Sequence, residues 1–183
     1  GKPGKKYGNL NMVISLDTNV WIFLYCSESK ARKYVREKYS RAFKKLLKSK
    51  NKLYTDLTTL SEFINRDIKF SYQKYMSVNG IEGNFQFKRD YKETEHFKEA
   101  TRTAISIVRK NILRRTSLSN LNYDKNLMVT LLENLENEMI DFNDLIIQEL
   151  CRENNFMLLT DDRDYKSSPI DIISGNPKLV PQS

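Results

Sequence analysis

The residues best placed to do chemistry are carboxylates at the ends of apolar runs. "FMLLTDDRDY", residues 156–165, passes from Phe156–Leu159 straight into Thr160, Asp161, Asp162 and Asp164. "MVISLD", residues 12–17, ends in the same way on Asp17, followed by Thr18 and Asn19. Short apolar runs bounded by polar residues read as buried strands. Glu62 falls in "TLSEFI", one turn into the helix expected after the strand candidate "KLYTDL", 52–57. Asp144 falls in the first turn of the helix expected from "DFNDLIIQELCREN".

In parallel α/β sheets, ligands bind beyond the carboxyl ends of the strands. A helix that returns antiparallel to its strand begins at that same edge. Asp17, Glu62, Asp144 and the Asp161–Asp162 pair are therefore expected to converge there. Two unit charges about 4 Å apart repel by roughly 4 kcal/mol at an effective dielectric of about 20, so such a cluster calls for a cation. Oxygen donors without histidine or cysteine suit Mg²⁺ or Mn²⁺. Such an ion can activate a water and stabilise the charge of an in-line attack on phosphorus. Structural roles compete for the same residues. Asp17 could cap the helix after it. Asp141 suits an N-cap with Asp144 at the third helical position, and Asp161 and Asp164 read as solvated turn residues.

Other chemistries find little support. A Ser-His-Asp triad would have to run through His96, the single histidine, which lies in the polar stretch "YKETEHFKEA" and reads as a surface residue. Cys26 and Cys151 are too few for a disulfide framework and lack metal-ligand spacing.

The elements that must position the acids form an alternating series. Strands are expected at 12–17, 52–57, 156–160 and 170–174. A helix follows Asp17. An amphipathic, basic helix covers 31–49, with Ala31, Tyr34, Val35, Tyr39, Ala42, Phe43, Leu46 and Leu47 at helical spacing. Further helices run from Thr58 or Thr59 to a stop at Asn79-Gly80, over 93–115, over 125–137 and from Asp141. Residues 81–87 read as a loop and 116–124 as a connector. Strands alternating with helices predict an α/β fold with a parallel central sheet flanked by helices. Residues 1–11 read as a flexible tail or cloning remnant, and 12–183 as a single domain with a helical arm inserted at about 66–125.

The chain of 183 residues carries a net charge of +8, which favours polyanions, nucleic acid first. Between Lys30 and Lys50 ten Lys or Arg face one Glu, whereas Glu133–Asp144 holds five acids and no base. Arg32, Lys33, Arg36, Lys44 and Lys45 are the candidate RNA contacts, and the helical tyrosines read as core. No run is long and apolar enough for a membrane span and no signal-peptide pattern opens the chain, so a cytoplasmic location is expected.

Together, "VISLDTNVWI", "TLSEFI" and "DFNDLIIQELCRENNFMLLTDDRDY" resemble PIN-domain nucleases, VapC-type toxins in particular. That family pattern is a strand ending in D-T/S-N, a helix-borne Glu, an Asp opening a helix, and T-x-D after a strand. It falls here on Asp17, Thr18 and Asn19, then Glu62, Asp144, and Thr160 with Asp162. The resemblance implies a metal-dependent endoribonuclease that leaves a 5′-phosphate. Asp17, Glu62, Asp144 and Asp162 would bind Mg²⁺ or Mn²⁺, and Asn19 and Thr160 would support them. It also implies an RNA substrate, an antitoxin protein as partner and a homodimer as a possible assembly. VapC-type toxins are usually shorter, and the excess here falls in the helical middle. A non-toxin PIN nuclease of RNA processing, a non-catalytic RNA-binding module and a phosphoacceptor α/β domain stay open as alternatives.

Overall fold

A computed structural model describes residues 11–137 and 140–179. The expected tail, apart from Asn11, lies outside the described residues. Five strands, all parallel, form one sheet among them: β1 (Val13–Leu16), β2 (Lys52–Thr55), β3 (Ser117–Leu118), β4 (Met157–Leu159) and β5 (Ile172–Ile173), in the order β3-β2-β1-β4-β5. Six α-helices accompany them: α1 (Thr18–Tyr25), α2 (Lys33–Lys48), α3 (Leu57–Val78), α4 (Glu95–Ile107), α5 (Lys125–Asn137) and α6 (Phe142–Asn154). None of the described helices is long and apolar enough to cross a membrane.

Strand side chains alternate between two cores, as the period of two requires. Ile14, Leu16, Leu53 and Leu159 join one apolar cluster with Trp21, Phe43 and Phe63, so α1, α2 and α3 cover that face. Val13, Tyr54, Leu158 and Ile172 face a second cluster with Leu131, Leu145 and Leu150 from α5 and α6. A third, smaller cluster holds Ile68, Tyr72, Tyr91 and Phe97 where α3 packs on α4.

Local chemistry sets the element ends. Asp56 caps α3 by accepting from Thr59 N at 3.0 Å and Thr59 Oγ1 at 2.6 Å, which starts the helix slightly before the expected Thr58. At the other end Gly80 adopts φ +57°, and Ile81 N closes back on Met76 O at 3.0 Å. That left-handed stop is where glycine costs least.

Four expectations need correction. The supposed connector 116–124 contains β3, a two-residue edge strand too short to show periodicity. The expected helix over 93–115 is α-helical only to Ile107 and continues as a π-turn over Val108–Ile112. His96 is half-buried rather than a surface residue, with its Nδ1 2.8 Å from the Tyr91 hydroxyl. Tyr34 and Leu47, placed on the apolar stripe of α2, are exposed.

Candidate active site

Leu16 pairs with Leu159 across β1 and β4, so the next residues, Asp17 and Thr160, emerge side by side at the carboxyl edge. Asp17 N donates to Leu159 O at 3.1 Å, prolonging the ladder by one bond. The Asp17 backbone carbonyl accepts from Val20 N and opens α1, while its carboxylate makes no capping bond. That carboxylate is engaged elsewhere. Its Oδ2 accepts from Thr160 Oγ1 at 2.5 Å and from Asn19 Nδ2 at 2.6 Å. The Thr160 hydroxyl also accepts from Asn19 Nδ2 at 3.2 Å and from Asp162 N at 3.0 Å. One donor and two acceptors use its full capacity. Asn19 Oδ1 accepts from Asp161 N at 3.2 Å, tying the start of α1 to the turn after β4.

The other acids are held by separate donors. Thr18 Oγ1 donates to Glu62 Oε2 at 3.0 Å, and Arg66, one turn on along α3, reaches Glu62 Oε1 at 3.2 Å. Tyr165 OH donates to Asp144 Oδ1 at 2.8 Å. Asp162 Oδ1 accepts from Asp164 N at 3.1 Å and caps the 3₁₀ turn Arg163–Ser167. Asp141 stands at the N-cap of α6, but through its backbone carbonyl, which accepts from Leu145 N, and not through its side chain.

Asp17 lies within electrostatic reach of Asp144, Asp162 and Glu62, and Asp144 within reach of Asp162 and Glu62. Burial pushes the Asp17 carboxyl up to about 7. The Thr160 hydrogen bond opposes that shift, and Asp144, Asp162 and Glu62 add to it. Burial likewise pushes Asp144 up to about 6. The Tyr165 bond opposes this, and Asp162, Glu62 and Asp141 reinforce it. Desolvation and like charge both disfavour the ionised form, so the edge holds repulsion that a cation would relieve.

The donor set fits a small hard divalent ion. It is all oxygen. Asp17, Asp144 and Asp162 each have one oxygen tethered, and the second accepts no hydrogen bond among the described residues. Among those residues no three acid, histidine or cysteine side chains already close on one common centre. Asp17, Asp144 and Asp162 are instead fixed by neutral donors, and Glu62 by Thr18 together with the Arg66 guanidinium.

Asp161, expected as solvated, is partly buried and anchored. Its Oδ1 accepts from Tyr39 OH at 2.7 Å, and that hydroxyl accepts from Gly175 N at 3.1 Å. Tyr39 and Tyr165 were legible only as apolar-stripe or turn residues, because their hydroxyl partners lie 122 and 21 positions away in sequence.

Two cavities adjoin the edge. One of about 380 Å³ is lined by Asn19, Phe23, Asp162 and Asn176. Another, of about 570 Å³, lies between α1 and α2 and is lined by Phe23, Lys33, Arg36, Arg41 and Lys44. Phe23 lines both, so the basic groove lies next to the acid-lined cavity. Of the expected RNA contacts, Lys33, Arg36 and Lys44 line this groove. Arg32 and Lys45 are exposed but lie outside its lining, and Arg41, not among the expected contacts, lines it too.

The parallel sheet with flanking helices fits a known class: the PIN domain model matches residues 14–169. The chain belongs to the PIN domain family, a family of nucleases. Among solved structures it is similar to VapBC2 from Rickettsia felis, described as bound to a DNA fragment from their promoter. That match has 14% identity and a TM-score of 0.53, and covers 89% of this chain and 98% of that one. It is also similar to FitAcB from Neisseria gonorrhoeae, at 13% identity and a TM-score of 0.49, covering 87% and 96%. The likeness to the Rickettsia structure is one of fold. No curated protein matches the chain.

Proposed function

We propose that this protein is a metal-dependent endoribonuclease, acting as the toxin of a toxin-antitoxin pair. The observation that carries the nuclease reading is the convergence of Asp17, Glu62, Asp144 and Asp162 from four separate points of the chain, next to a basic groove. These four would hold Mg²⁺ or Mn²⁺, which when bound supplies a polarised water and stabilises charge developing on phosphorus. Thr160 and Asn19 orient Asp17 by fixing its Oδ2. Thr18 and Arg66 orient Glu62, and Tyr165 orients Asp144. Lys33, Arg36, Arg41 and Lys44 would hold the phosphates of the entering strand.

The toxin role rests on the resemblance of the D-T-N and T-x-D segments to VapC-type toxins. A protein partner, whether an antitoxin or a second copy, is supported by α5. It exposes Met128, Leu132 and Leu135 at helical spacing, beside Val129.

Asp17→Asn, Glu62→Gln, Asp144→Asn and Asp162→Asn should each abolish Mg²⁺- or Mn²⁺-dependent cleavage of a mixed RNA pool, with unchanged circular dichroism. Asp161→Asn should retain cleavage within a few-fold, because that carboxylate is bound to Tyr39. Products should carry 5′-phosphates. Wild-type cleavage in two of the first four variants would overturn the site. Uncut RNA retained by the wild-type protein would indicate a binding module, and labelling by a phosphodonor a phosphoacceptor domain.

A further inference from the structure

The stripe of α3 that carries Glu62 continues through Asn65, Lys69 and Tyr72, which lie three, seven and ten residues on and share one helix face. At 1.5 Å per residue it runs about 5–15 Å beyond Glu62. There α3, the segment before α4 and α4 itself enclose a cavity of about 460 Å³. Its apolar surface comes from Tyr72, Phe87 and Phe97 over buried Ile68. Phe87 meets Tyr72 and Phe97 at 84° and 85°, edge against face, and is backed by fully buried Tyr91.

Three exposed lysines, Lys69, Lys88 and Lys92, line the same cavity, and none is in an ion pair among the described residues. Lys92 Nζ lies 6.0 Å from the centre of the Phe97 ring. Aromatic rings offer surfaces on which any base can stack, and lysines offer point charges for phosphate. An apolar peptide would leave those three charges without a role.

We propose that this cavity binds a nucleotide of the single-stranded RNA whose scissile phosphate lies at the acid edge. The base rests against Phe87 and Phe97, and Lys69, Lys88 and Lys92 hold the flanking phosphates. The inference rests on the nuclease reading. The separation from Glu62 corresponds to about three nucleotides at the stacked spacing of roughly 3.4 Å. The cavity thus anchors the strand to one side of the cut and makes cleavage depend on substrate length.

The test uses the Asp162→Asn protein, so that RNA stays intact, and two fluorescent oligouridylates. One has about twelve nucleotides, enough to span edge and cavity, and the other about three. Phe87→Leu, which keeps apolar volume but removes the ring, should weaken binding of the longer RNA about fivefold or more. The Lys88→Glu, Lys92→Glu double variant should do the same and lower the salt slope by about 1.4, at roughly 0.7 per phosphate contact. The short RNA should bind all proteins alike. Affinities for the longer RNA within twofold in both variants would overturn the proposal. So would equal losses for both lengths, or displacement of the longer RNA by a polyglutamate peptide from the parent but not from the variants. Failure of the nuclease reading shows separately, as wild-type protein that binds the longer RNA with metal present and leaves it uncut.

Discussion

The hydroxyl of Tyr165 donates to Asp144 Oδ1 across 2.8 Å, joining the 3₁₀ turn after β4 to the first turn of α6. Tyr165 is fully buried, so this bond fixes the carboxylate from the protein side. It also counters the effect of burial on Asp144.

Tyr165→Phe should therefore cost about 1.5–3 kcal/mol of stability, the range for a hydrogen bond to a charged group. It should also slow cleavage and shift the rising limb of the pH–rate profile upwards, because Asp144 loses the bond that favours its ionised form. Denaturant unfolding and rates measured from pH 5 to 8 check both. An unshifted profile would reduce Tyr165 to core packing.

A second prediction concerns the metal-free protein. The Asp17 carboxyl titrates near 7 in the folded state and near 4 when unfolded. Between those values the folded state binds the extra proton. The contribution of this group is therefore fully present below about pH 4 and is lost as pH rises through 7. Asp144, pushed up to about 6, acts in the same direction. In chelator, wild type should lose stability relative to Asp17→Asn between pH 5 and 8, by an amount on the order of a few kcal/mol. Millimolar Mg²⁺ or Mn²⁺ should raise the wild-type melting temperature by mass action and barely move that of the variant. Parallel pH curves for the two proteins, with no metal response, would mean that the edge stores no repulsion.

A third prediction separates the groove from the rest of α2. Reversing Lys33, Arg36, Arg41 and Lys44 together should reduce the salt slope of RNA binding by about 2–3, from roughly 0.7 per lost phosphate contact. Reversing Arg32 and Lys45, which lie outside the groove lining, should change it by clearly less. Equal effects would make α2 a diffuse basic surface rather than a track.

The placement of Asp17, Asp144 and Asp162 at one edge was legible because each lies beside a strong local signal. Asp17 and Asp162 follow apolar runs, and Asp144 opens an amphipathic helix. Parallel topology then does the rest, since every βα junction must face the same edge. What escaped the sequence depends on contacts between distant segments. The two-residue β3 is a strand only because Thr55 and Leu118 pair across the sheet. His96 seemed exposed because its neighbours in sequence are charged, yet it packs on Tyr75 and Tyr91. Asp161 resembled a free turn residue until α2 brought Tyr39 against it.

The pairing of β1 with β4 has a consequence for the life of the chain before it is finished. The bond from Thr160 to Asp17 spans 143 residues of sequence. At about 5–20 residues per second of synthesis, a growing chain displays Asp17 for on the order of ten seconds before Thr160 exists. During that interval Asp144 is missing for most of the time and Asp162 throughout, and β1 lacks one of its two neighbours. An unfinished or prematurely ended chain thus carries half of the carboxylate edge. The messenger being read, the RNA nearest to it, meets a complete edge only after β4 has been made and has docked.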